Sequence, residues 1–321
     1  MINVGADHID NWVFVTGVIR SGTTFVGKIL STPLEVDYLH EPFNTGCGME
    51  GMDRRYRYVR PSLDTPEMKR LHVLTKALFD YDFDLQTVYY EDDPWYRHLG
   101  KKLLGSRGPF YLRLAKANPF HTSSIIKDPT GSMMANYLHH RFDVQPVVII
   151  RHPVSLVASF NRVEWWPQSE KLLEQSALVN DHLNDTPVRP SLIDSSLPGR
   201  VEDACVHWCL VNQVLLDWAE RHDWNVVRHE TLCENPLSTF KTLYRDLGLP
   251  WSRHVRRKVR TLTTGQSPKA KNNEVQDFRR ESDSIFETRL RSISKENREA
   301  IFNVTRDVAL RVYSESSFRV D

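Results

Sequence analysis

The stretch Trp12-Val13-Phe14-Val15-Thr16-Gly17-Val18-Ile19-Arg20-Ser21-Gly22-Thr23-Thr24 decides how the chain is read. Trp12 to Thr16 is a short, largely apolar run rich in β-branched and aromatic side chains, the pattern of a strand buried in a parallel sheet. Gly17 and Gly22 bracket a turn, and Phe25, Ile29 and Leu30 then recur at helical spacing until Pro33. Strand, glycine turn and helix together build a phosphate-binding loop. The glycines let backbone N–H groups turn toward an anion, and the helix N-terminus adds its dipole.

The glycine spacing is that of a Walker loop, G-x-x-x-x-G-K-[ST], but Thr23 stands in place of the lysine. A nucleoside triphosphatase needs that lysine on the β and γ phosphates. Here the cation is Arg20, three residues earlier. A planar guanidinium grips a phosphate-type anion in bidentate fashion, and Ser21, Thr23 and Thr24 add hydroxyl donors.

Working outward, the same alternation continues. Val36 to Leu39 reads as a second strand leading into His40-Glu41-Pro42, and Glu67 to Phe79 as a helix. Ser123 to Ile126 is a third strand ending at Lys127-Asp128-Pro129, followed by a helix from Gly131 to Arg141. Pro146 to Ile150 is a buried strand ending at Arg151-His152-Pro153, with Pro153 placed for the first turn of a helix. Val201 to Arg221, Pro236 to Leu247 and Lys295 to Tyr313 read as helices, and Asn225 to Arg228 as a strand. Residues 46–65, 164–199 and Arg253 to Arg280 lack clear periodicity and are expected to be irregular. The predicted fold is α/β: a three-layer, mainly parallel sheet with helices on both faces. It forms one domain over 1–321, with variable, substrate-facing insertions around 43–120 and 164–200. Ligands on such sheets bind beyond the carboxyl ends of the strands, where the polar residues named above all fall.

Composition narrows the function. Lys plus Arg number 42 and Asp plus Glu 41, so no global charge bias favours nucleic acid, and any basic site is local. Four cysteines in 321 residues do not make a disulfide framework, and Cys205 and Cys209 fit one buried helix face better than a metal site. No window approaches the ~20 apolar residues of a membrane span, and the first residues lack the pattern of a signal peptide. These features point to the cytoplasm, with a lumenal catalytic domain as the alternative.

At Arg20-Ser21-Gly22-Thr23-Thr24 the sequence resembles the sulfotransferases that use 3′-phosphoadenosine-5′-phosphosulfate (PAPS), most closely the tyrosylprotein and carbohydrate branches and their bacterial relatives. Arg151 after a strand, with Ser159 eight residues on, is similar to the family's 3′-phosphate motif. The resemblance implies a P-loop nucleotide-kinase-like fold and direct in-line transfer of a sulfuryl group to an acceptor hydroxyl. PAP is then the product, with no metal required. It implies that Arg20, Ser21, Gly22, Thr23, Thr24, Arg151 and Ser159 bind the donor, with His229 where the family usually has tyrosine. Ser267, Lys269 and Lys271 lie where the family folds a loop over the nucleotide.

For the chemistry, Glu41 is the leading base and His40 its rival; the sequence does not separate them. Lys127, with Arg20, is assigned to stabilise charge on the oxygens in flight. The alternative reading of Glu41 is a loop carboxylate paired with Arg20, and Ser159 taken alone reads as a helix-surface serine. Trp95, Tyr96, Trp165 and Trp166 are available to stack on an acceptor, which could be a saccharide, a tyrosyl group, or a lipid or natural-product alcohol. Two other classes compete: a magnesium-dependent P-loop kinase or NTPase, and a non-catalytic nucleotide-binding protein on the same fold.

Overall fold

The computed structural model describes residues 9–184, 197–263 and 288–319. It is an α/β structure built on a mainly parallel five-stranded sheet. The elements run β1 (Asn11–Gly17), α1 (Thr23–Leu30), β2 (Val36–His40), α2 (Pro66–Phe79), α3 (Trp95–Leu104), α4 (Arg107–Lys116), β3 (Ser123–Lys127), α5 (Ala135–Phe142) and β4 (Gln145–Ile150). They continue with α6 (Pro153–Val163), α7 (Glu170–Leu173), α8 (Ser176–Leu178), α9 (Gly199–His222), β5 (Asn225–Arg228), α10 (His229–Glu234), α11 (Pro236–Asp246), α12 (Arg253–Thr263) and α13 (Lys295–Ala309). The strand order is β2-β3-β1-β4-β5.

The chain falls into two compact units, Met1–Thr16 with Val26–Val147, and Gly17–Phe25 with Val148–Asp321. In the first unit β3 lies between β1 and β2, parallel to both, and Lys127 is level with Val15 on one side and His40 on the other. Every residue of β2 and β3 is buried, so these strands expose neither face to water, even at the polar positions Asp37, His40, Ser123, Ser124 and Lys127. Trp12 and Phe14 of β1 are likewise buried, Phe14 edge-on to Phe43. Helix α2 starts cleanly because Thr65 Oγ1 accepts the Met68 N–H at 3.2 Å and Pro66 occupies the first turn.

In the second unit the 24-residue α9 forms the centre, burying Trp208 and Trp218 together with Cys205 and Cys209. Helix α13 packs on α9 and α6. Two stretches expected to be irregular contain structure. Residues 253–263 form α12, whose Val255, Val259 and Thr263 are buried at a spacing of four; the density of arginine around them hides that period in the sequence. Residues 170–183 form α7, α8 and a π-helical turn, burying Leu172, Leu178 and Leu183. Between 43 and 120, α3 and α4 join the expected α2.

Gly17, where β1 ends, has φ +144°, and a methyl group there would sit 2.2 Å from the Ile149 carbonyl oxygen. Neither strain can be relieved by a side-chain rotation. Gly17→Ala should therefore destabilise the protein by roughly 2 kcal/mol or more, read as a lowered Tm. An unchanged Tm would mean the turn after β1 is not closed against β4 as described.

Candidate active site

Two polar clusters gather at the carboxyl ends of the strands, one in each unit. The cluster in the second unit is the loop after β1. Gly22 has φ +105°, and a Cβ on it would meet His229 Cδ2 at 2.5 Å, so the glycine is needed both for the backbone and for the imidazole that covers it. Arg20 also has positive φ (69°), which carries its carbonyl toward Arg151. Arg151 Nη1 donates to the Arg20 carbonyl at 2.8 Å, and its Nε donates to Ser155 Oγ at 3.1 Å. The Arg151 carbonyl accepts from Trp208 Nε1 at 2.9 Å, which fixes the start of the side chain to α9. The next residue is held as firmly: His152 N–H donates to Glu230 Oε1 at 3.1 Å, and Tyr313 OH donates to Glu230 Oε2 at 2.8 Å.

After these bonds a specific set of donors is left over. Arg20 Nε, Ser21 Oγ, Arg151 Nη2 and Ser159 Oγ are buried and have no hydrogen-bond partner among the described residues. Ser159, a helix-surface serine only when read without Arg151, is 2% exposed and lies one turn after Ser155, on the same face of α6. Burial pulls the Arg151 pKa down to about 10, with Glu230 opposing. Burial and Arg162 lower that of Arg20. His229 is neutral, pushed down to about 3 by burial and by Arg151. A buried guanidinium, Arg151, and a half-buried one, Arg20, beside these hydroxyls suit an anion carrying several oxygens. Thr23 and Thr24 open α1 at the same loop. Ser267, Lys269 and Lys271 lie outside the described residues.

The cluster in the first unit sits where β2 and β3 end together. Glu41 N–H donates to the Lys127 carbonyl at 2.8 Å, extending the β2–β3 pairing by one residue. Glu41 then turns with φ 51°, and its carboxylate forms an ion pair with Lys127 Nζ and accepts from Asn44 Nδ2 at 2.6 Å. Lys127 is thus the partner of Glu41, in place of the Arg20 pairing considered as the alternative. The Lys127 side chain is wholly buried, and its stem passes Gly27, where a Cβ would come within 3.1 Å of it; the Glu41 side chain keeps 19% of its surface open. Burial alone would raise the Glu41 pKa, but Lys127, His40 and Asn44 hold it low, at about 2. His40 Nδ1 lies 3.0 Å from Tyr38 OH, and burial next to Lys127 keeps its ring neutral.

Asp128 organises this cluster, and sequence reasoning gave it no role. Its Oδ2 accepts from the Phe43 N–H at 2.7 Å, and its Oδ1 accepts from Thr130 N–H, Thr130 Oγ1 and Gly131 N–H. One carboxylate thus ties the turn after β2 to the turn after β3. Burial, then Glu41, push its pKa up to about 6. Asn44, Ser155 and Glu230 were also missed, although Asn44 is three residues from Glu41 and Ser155 four from Arg151. Such short offsets are common by chance, so only the fold singles them out.

Among the described residues no group of three His, Cys, Asp or Glu is placed to hold a metal ion. The Cys209 thiol reaches only the Val304 carbonyl, at 3.7 Å. Trp166 stacks on the Arg200 guanidinium 5.3 Å away, whereas Trp95 and Tyr96 are exposed on α3.

The model of the sulfotransferase family matches residues 12–253, and the chain belongs to that family. It is therefore a transferase, a class that the loop with its leftover donors suits. No curated protein matches the chain. Among solved structures it is similar to the sulfotransferase domain from the curacin biosynthetic pathway, at 12% identity over 95% of this chain and 98% of that one, with a TM-score of 0.48. It is also similar to the sulfotransferase domain from the Synechococcus PCC 7002 olefin synthase, at 14% identity over 96% and 97%, TM-score 0.46. Sulfotransferase STF9 from Mycobacterium avium matches at 14% identity over 89% and 77%, TM-score 0.40. Likenesses this distant carry no argument about substrate.

The Glu41–Lys127 pair has a pH consequence. The folded pKa of Glu41, about 2, lies below its ordinary 4.5. The pair's contribution to stability is thus present above pH 4.5 and lost as pH falls toward 2. Glu41→Gln should lower Tm at neutral pH and flatten the fall of Tm across that acid window. Parallel acid limbs in variant and wild type would show that the pair does not form.

Proposed function

We propose that the protein transfers a sulfuryl group from PAPS to an acceptor hydroxyl by direct in-line displacement, releasing PAP. The observation that carries this reading is the set of four buried donors left unpaired around the β1 loop: Arg20 Nε, Ser21 Oγ, Arg151 Nη2 and Ser159 Oγ. Arg20 and Ser21 would hold the 5′-phosphosulfate with the backbone N–H groups that open α1, and Arg151 with Ser159 would hold the 3′-phosphate. His229, neutral and against Gly22, would border the nucleotide. When bound, the donor supplies a sulfuryl group on a phosphate leaving group.

The protein's own part is proton handling and charge stabilisation. Glu41 is ionised throughout the neutral range and partly open to solvent, so it can accept the acceptor's hydroxyl proton on a carboxylate oxygen. His40 is buried, with Nδ1 engaged by Tyr38, which favours Glu41 over it as the base. The Lys127 ammonium is buried with Glu41 as its ion-pair partner; as Glu41 takes the proton, that charge becomes available to oxygens gaining negative charge. Thr23 in place of the Walker lysine argues against ATP hydrolysis.

Two measurements test the proposal. Saturating PAP, at about 100 times its Kd, should stabilise the fold by roughly 2.7 kcal/mol and raise Tm by several degrees, whereas ATP with magnesium should not. Stabilisation by ATP–magnesium alone would transfer the site to the kinase reading. In a screen of saccharide, tyrosyl and lipid or natural-product alcohols with PAPS, Glu41→Gln should cut turnover about 10²–10⁴-fold while PAP still raises Tm. Wild-type turnover in Glu41→Gln would remove Glu41 as the base. Tight PAP binding without turnover on any acceptor would favour the non-catalytic reading.

A further inference from the structure

Helix α3 has ten residues, Trp-Tyr-Arg-His-Leu-Gly-Lys-Lys-Leu-Leu, and not one is buried. At 100° per residue, Trp95, Tyr96, Leu99, Leu103 and Leu104 fall within one half of its circumference, and Arg97, His98, Lys101 and Lys102 within the other. In a helix of a globular protein the apolar half would face the core. Here the five apolar side chains are between 51% and 77% exposed. The neighbouring α4 buries Gly108, Pro109, Leu112 and Ala115 but leaves Phe110 and Leu114 outside. Arg113 Nη1 donates to the Leu103 carbonyl at 2.8 Å, which fastens α4 to the end of α3.

Charge at this surface departs sharply from the rest of the chain. Residues 95–116 contain six Lys or Arg and no Asp or Glu, in a protein whose totals are 42 and 41. The nearest acids in the sequence are Glu91, Asp92 and Asp93 in the turn before α3; Asp93 pairs with Lys101, and Asp84 pairs with Lys116 at 3.7 Å. Among the described residues Arg97 and Lys102 have no ion-pair partner, and both are exposed. An apolar half that begins with Trp and Tyr, set against a cationic half, matches the boundary between acyl chains and anionic headgroups. A ten-residue helix is about 15 Å long, too short to span a bilayer, and its geometry suits lying in the interfacial plane. No described helix is long and apolar enough to cross a membrane.

We propose that α3, together with Phe110 and Leu114 of α4, is a docking surface for an anionic lipid bilayer. The apolar half of α3 enters the headgroup–acyl boundary, and Arg97 and Lys102 meet the lipid phosphates. The proposal is independent of the donor and acceptor assigned above.

The test is co-sedimentation of the full chain with vesicles of phosphatidylcholine alone, and of phosphatidylcholine mixed equally with phosphatidylglycerol. Wild type should pellet with the mixed vesicles, and added salt should weaken the binding. Leu99→Glu with Leu103→Glu should abolish pelleting. Arg97→Glu with Lys102→Glu should weaken it by at least about fivefold for each cation lost. All four positions are exposed, so the variants should melt like wild type, which separates lost binding from lost folding. The proposal fails if wild type ignores the mixed vesicles at low salt, if the leucine variants pellet as wild type does, or if neutral vesicles bind equally well. It also fails if the vesicles are not bound and the chain self-associates through a contact that Leu99→Glu breaks, since the face then belongs to a second copy.

Discussion

One buried and one half-buried guanidinium set the terms for the second unit. Neither Arg20 nor Arg151 has an ion-pair partner among the described residues, and burial lowers the pKa of both. Leaving a cation buried without an anion is costly, so such an arrangement persists only where the surroundings fix it. Arg151 is fixed from three directions: by the Arg20 carbonyl, by Ser155, and through its own carbonyl by Trp208. The Glu230–Tyr313 pair holds the next residue and supplies some negative potential without touching the guanidinium edge. The edge left over is where the proposed donor's anionic groups would sit, bordered by the loop's glycines and hydroxyls and by the neutral His229.

The first unit solves the opposite problem. There a fully buried lysine has its counter-ion, Glu41, one residue beyond the end of the neighbouring strand. That pairing is possible because β2 and β3 run parallel and in register, so that His40 and Lys127 are level. Asp128 then converts strand register into loop geometry, since its two oxygens hold Phe43 on one side and Thr130 and Gly131 on the other. A carboxylate kept ionised by a lysine is a weak base in isolation. In the proposed reaction its usefulness would lie in position and in the charge it releases when protonated.

Outside both clusters, the segment from α3 to α4 obeys different rules. Helix α4 buries Leu112 and Ala115, but no residue of α3 is buried and residues 95–116 carry charge of one sign, a composition that the proposed bilayer contact accounts for and core packing does not.

The sequence alone determined the parts whose information is local. Continuous apolar runs such as Val147–Ile150 specify buried parallel strands, glycine spacing specifies the turn after β1 and with it Arg20 between the two glycines, and Glu41, Lys127 and Arg151 are legible because each directly follows or ends a strand. It did not reveal α12, where arginine conceals a period of four, nor the amphipathic α3. Only tertiary structure decided which polar atoms are paired. Whether Ser159 is a surface serine or a buried unpaired donor, whether Glu41 meets Lys127 or Arg20, and that Asp128 joins two turns are all set by elements far apart in sequence. Hydrogen bonding and burial depend on distance in space, and neighbouring residues in the chain do not encode that distance.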